Sequence, residues 1–148
     1  MKKYNSNQSG RSMIEMLGVL AIVGVLSVAG IAGYSKAMEA YKFDKLVDEM
    51  VMISSNIITL MEGQNSYKGL TTESAISLGV FPENMVKSDG SVRNAFGGNI
   101  YIRAVSYAGI DGGAFTVDFD GLPQKVAIKL GTDGVNEQNQ NLMYLSIN

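Results

Sequence analysis

The sequence predicts an α+β chain in which a long N-terminal helix carries a small antiparallel sheet. Three features predict this. No residue from Met16 to Ser35 is charged, and about twenty helical residues span about 30 Å, the thickness of a bilayer core. Apolar residues then recur at Phe43, Leu46, Val47, Met50, Ile57, Ile58 and Met61, close to the i, i+3, i+4, i+7 spacing of a one-sided helix. Further on, two runs alternate: Ile100, Ile102 and Ala104 against Tyr101 and Arg103, then Phe115, Val117 and Phe119 against Thr116 and Asp118. Period two is the mark of half-buried strands.

The elements follow in order. Residues 1–10, MKKYNSNQSG, are polar and basic through Lys2 and Lys3. Positive charge before an apolar run keeps that end in the cytoplasm and sends the far end outward. One nearly continuous helix is expected from about Ser12 to Met61, because no Pro or Gly falls between Lys36 and Gly63. It is apolar all round over 11–35 and one-sided over 36–62, with Asp44, Lys45, Asp48 and Glu49 mostly on the other faces and Gly63 as the stop. Residues 63–148 form the head. TTESAISLG reads as a short helix with Thr71 or Thr72 as N-cap and Gly79 as its stop. FPENM is a Pro-led turn, and Asp111–Gly113 (DGG) is the expected connection between the two strands. LPQKVAIKLG fits two descriptions: a strand through Val126, Ile128 and Leu130, or a short helix opened by Pro123 with Val126, Ala127 and Leu130 on one face. LMYLSIN reads as a last strand.

Composition narrows the function. The chain has 148 residues and a net charge of −2, enough for one modest domain with an appendage and without a basic face for nucleic acid. It has no Cys and no His, which removes disulfides, thiolate metal sites and the commonest general base. No catalytic residue, metal ligand set or cofactor is therefore assigned. Asp111, Asp118, Asp120 and Asp133 lack the oxygen-rich spacing of a calcium loop and read as turn residues. Met38, Met50, Met52 and Met61 read as packing between helix and head. Gly18, Gly24, Gly30 and Gly33 are either close-packing points between helices or ordinary glycines of an apolar helix.

One residue resists a bland account. Glu15 stands at the front of the apolar run, although a carboxylate near the bilayer centre costs at least about 2.5–3.5 kcal/mol. At the edge of the run the cost is smaller, and a helix N-terminus there favours negative charge. A plain membrane anchor, or a secretory signal peptide cut after Ala29, accounts neither for this acid nor for the one-sided helix that continues from the apolar one.

The stretch from Gly10, GRSMIEML, resembles the class III signal of type IV pilins. The segments LTTESAISLGVFPENMV, VRNAFGGNIYI and FTVDFDGLPQKVAIKL are similar to the heads of type IVb-type pilins, the thin pili of conjugative plasmids among them. The resemblance implies the pilin fold and a prepilin. A prepilin peptidase would cut after Gly10 and leave Arg11 as the mature first residue, a position often methylated in the family and usually Phe or Met there. Glu15, fifth in the mature chain, would serve assembly. Many such heads carry a Cys pair, one member of which would fall near Ala127. The implied product is a major pilin, held in the bacterial inner membrane and then polymerised into an extracellular filament of identical copies by an assembly platform and a cytoplasmic ATPase. A minor pilin or a type II secretion pseudopilin is the nearer alternative. A monomeric membrane-anchored binding protein is the alternative from another class.

Physical chemistry suggests what Glu15 would do in such a fibre. Helices bundled into a low-dielectric core leave an unpaired carboxylate expensive, and the freed α-amino group of a neighbour's Arg11 would offset that cost. Only one axial stagger would satisfy the pair, so the charge would set register.

Overall fold

The computed structural model describes the backbone of residues 7–132 and side chains from residue 12. Five elements follow in chain order: α1 (Asn7–Leu60), α2 (Thr72–Ser77), β1 (Ile100–Tyr107), β2 (Ile110–Phe119) and α3 (Gln124–Thr132). The chain divides into two units between Tyr41 and Lys42, a point inside α1, and each is described by itself.

In the first unit α1 begins at Asn7, ahead of the expected Ser12. The helix therefore already includes the last residues of the polar leader, and Glu15 lies more than two turns inside it. The macrodipole acts within the first turn, so in this form of the chain the helix terminus does not support the Glu15 charge as the sequence suggests. No side chain described in this unit is buried.

In the second unit α1 becomes one-sided. Leu46, Met50, Ile53 and Ile57 are buried, a stripe at helical spacing. Ile53, outside the expected set, is fully buried, while Ile58 is half-buried. The stripe serves two apolar clusters. Ile53 and Ile57 pack with Leu70, Phe81, Met85, Ile100 and Ile102. Leu46 and Met50 pack with Val126 and Leu130 of α3, with Phe119 partly buried between the two groups. Met52 and Met61 pack against the first cluster, as expected of gap-filling side chains.

Local chemistry closes the short elements. Gly63 takes φ +87° just past the end of α1 and Gly79 takes φ +74° after α2, a conformation that side chains disfavour. Thr71 caps α2 through a reciprocal pair: its hydroxyl accepts the Ser74 N–H at 3.2 Å, and the Ser74 hydroxyl accepts the Thr71 N–H at 2.8 Å. The FPENM turn closes with the Met85 N–H on the Pro82 carbonyl at 3.0 Å.

β1 and β2 form an antiparallel hairpin, from Ile100 opposite Phe119 to Tyr107 opposite Ile110, with an irregularity between Val105 and Tyr107. Its turn corrects the expectation. Ala108 and Gly109 make the connection, with φ +53° and +78°, whereas Asp111–Gly113 lies inside β2. Two successive left-handed residues suit the twist of a two-residue hairpin loop. The glycines at 112 and 113 serve close approach instead. A Cβ on Gly112 would stand 2.6 Å from the Lys68 nitrogen, and the Tyr67 N–H donates to the Gly112 carbonyl at 2.7 Å. The LPQKVAIKLG segment resolves as the helix α3, burying Val126, Ala127 and Leu130 and exposing Ile128. Gly131 falls within α3 rather than behind it. The strand expected over 142–148 and Asp133 lie outside the described residues.

Candidate assembly site

The apolar part of α1 has no partner among the described residues. Its most hydrophobic window averages a mean hydropathy of 2.3 and is not buried at all. Ile14, Leu17, Leu20, Val25, Leu26 and Val28 each expose more than half of their surface. So much contiguous apolar surface belongs in lipid or against other helices. Two hydroxyls along it are turned onto the helix backbone. Ser27 donates to the Val23 carbonyl at 2.7 Å and Ser35 to the Ile31 carbonyl at 3.0 Å, so neither hydroxyl needs water. A Cβ at Gly18, Gly24, Gly30 or Gly33 would meet nothing within 4 Å. Packing among the described residues therefore does not require these glycines.

The site residues named from the sequence lie on this helix. Gly10 and Arg11 belong to the backbone of α1, and the Arg11 side chain lies outside the described residues. Glu15 is exposed on the same helix. Three of the aspartates read as turn formers, Asp111, Asp118 and Asp120, do other local work. Asp111 pairs with Lys68 at 2.8 Å and Asp118 with Arg103 at 2.5 Å. The Asp120 carboxylate accepts the Gly121 N–H at 2.6 Å. Lys68 holds Asp111 below the usual carboxylate range, and Asp111 in turn raises Lys68. No cluster able to hold a metal ion occurs among the described residues.

The head contains a polar junction that the sequence did not single out. Asp44, Lys45 and Asp48 are exposed as expected, but Glu49 is only 5% exposed. Its Oε2 accepts the Ala95 N–H at 2.9 Å, reaching from α1 to the NAFGG segment. The loop is folded on Asn94, itself buried. Asn94 Oδ1 accepts the N–H groups of Phe96 (2.9 Å) and Gly98 (3.2 Å), and its Nδ2 donates to the Asp120 carbonyl at 2.8 Å. A signal for Glu49 was present: position 49 falls between Leu46, Met50 and Ile53 on the buried stripe.

An exposed apolar helix that runs into a one-sided one, the latter covered by a small α+β head, is the build of a type IV pilin-type subunit. The chain belongs to the PilS N-terminal family, whose profile matches residues 40–143. The match covers most of the one-sided part of α1 and most of the head, and begins beyond Gly10, Arg11 and Glu15. It points to a structural subunit of a pilus. No curated protein and no solved structure matches the chain.

Proposed function

We propose that this chain is the major subunit of a type IV pilus, made as a prepilin in the bacterial inner membrane. Lys2 and Lys3 stay in the cytoplasm, a prepilin peptidase cuts after Gly10, and Arg11 becomes the mature first residue, open to N-methylation. The boundaries follow: 1–10 leader, 11–35 membrane and fibre-core helix, 36–62 one-sided helix, 63–148 head. An assembly platform and its ATPase then move the subunit into an extracellular fibre. The observation that carries this reading is the uncovered apolar helix bearing Glu15, on a chain whose head belongs to a pilin-type family.

Cleavage has a physical consequence for the acid. In the uncut chain Glu15 lies deep in α1. A cut after Gly10 would make Glu15 the fifth residue and bring it close to a helix terminus and a new α-amino group. That amino group, on a neighbouring copy, is the partner proposed for the carboxylate in the fibre core.

Two measurements test the proposal. The mass of the chain from sheared surface material should correspond to a start at Arg11. A start at Gly30 would indicate ordinary secretion, and an intact Met1 a simple anchor. Imaging should show long fibres built mainly of this chain, which a minor pilin or a pseudopilin would not form.

A further inference from the structure

We propose that Glu49 is a proton-sensitive latch that ties the 94–98 loop to α1, and that uptake of a proton from solvent stabilises the folded junction by removing a buried charge while the tie is kept. The geometry carries this. The loop satisfies its own amides through Asn94, and the Ala95 N–H is the one it presents to the helix. Among the described residues Glu49 receives that single hydrogen bond, while its side chain is almost wholly removed from water. Lys45, one turn earlier on α1, stands 4.0 Å away, beyond hydrogen-bonding distance.

The other cations near the junction are engaged elsewhere. Arg93 donates to the Gly97 carbonyl at 3.2 Å. The Lys42 ammonium lies over the Phe96 ring at 5.9 Å, and Lys129 of α3 lies over the Phe43 ring at 4.0 Å. The Asp120 carboxylate is taken by the amide that follows it. An ionised Glu49 is therefore buried with one N–H and one distant ammonium. Burial pushes its carboxyl above the ordinary range, and the Ala95 N–H and then Lys45 act against that rise.

The sign follows from linkage. A raised value means that the native chain holds this proton more tightly than the unfolded chain. Stability contributed at this junction is thus greatest in acid. It declines as pH rises from the ordinary carboxylate value through the raised one. The neutral carboxyl keeps a carbonyl oxygen for the Ala95 N–H, so protonation removes the buried charge without removing the bond.

The test uses the full chain in detergent micelles. The Glu49 carboxyl carbon and the Ala95 amide are followed by NMR between about pH 4 and 8. Both should inflect at one shared midpoint above the ordinary carboxylate value. In Glu49→Gln the Ala95 inflection should be lost, and unfolding stability should no longer decline through that pH interval. A Glu49 midpoint at or below the ordinary value, or an Ala95 amide without the shared inflection, overturns the proposal. The wild-type titration decides the matter even where Glu49→Gln does not fold.

Discussion

Gly98 lies flat against the carbonyl of Asp120: a Cβ built at position 98 would run into that oxygen, to which Asn94 Nδ2 donates at 2.8 Å. The NAFGG segment is thus closed from two directions, by a side chain that reaches across and by a glycine that leaves room. Gly98→Ala is expected to destabilise the head by about 1–3 kcal/mol, because backbone must shift to admit the methyl group. Asn94→Ala should cost a similar amount, about 1–3 kcal/mol, through the polar groups it leaves unpaired. Denaturant unfolding of the full chain in micelles checks both. A Gly98→Ala variant as stable as wild type would mean that the contact is not tight in solution.

Ile53 packs α1 against the sheet. It is fully buried, in one cluster with Ile100 and Ile102 of β1. Ile53→Ala is expected to cost about 2–5 kcal/mol, from lost burial together with the cavity left behind. The exposed neighbour Val51 supplies the control: Val51→Ala should change stability by less than about 0.5 kcal/mol. Equal losses at the two positions would contradict the packing described.

The hairpin turn offers a gain rather than a loss. Ala108 holds φ +53°, a region that disfavours any residue with a Cβ and that Asn tolerates better. Ala108→Asn should raise stability by about 0.5 kcal/mol, and Ala108→Val should lower it. Thermal unfolding of the three proteins should rank Asn above Ala above Val.

Glu15 separates fibre assembly from folding. Its side chain is exposed and the head packs without it. On the proposed function, Glu15→Gln and Glu15→Leu should abolish surface fibres while head unfolding and cleavage after Gly10 remain as in wild type. Normal fibres in both variants would refute the pairing of Glu15 with a neighbour's terminus.

Much of the fold was legible in sequence because it is local. The capping pair Thr71 and Ser74, the left-handed Gly63 and Gly79, and the alternation along β1 involve neighbours a few residues apart. The hairpin turn was misplaced for a local reason as well. Asp-Gly is the stronger turn signal, yet Ala108-Gly109 supplies the turn, because Gly112 is needed where the chain at Lys68 crosses β2. Nothing in the DGG motif itself discloses a crossing some forty positions away.

By itself the sequence determined the uncharged run with Glu15 at its front, the polar basic leader, and the helix and strand periods of the head. These depend on spacing and residue type, which a linear string carries in full. Only the tertiary structure decided that LPQKVAIKLG is a helix, that Ile53 joins the core, and that Glu49 faces inward to the Ala95 amide. Each of those outcomes depends on which surface another segment covers. A charge at a buried-stripe position is tolerated only because a loop 46 positions later brings an unpaired N–H to meet it, and burial with hydrogen bonding is a property of the folded pair rather than of either residue.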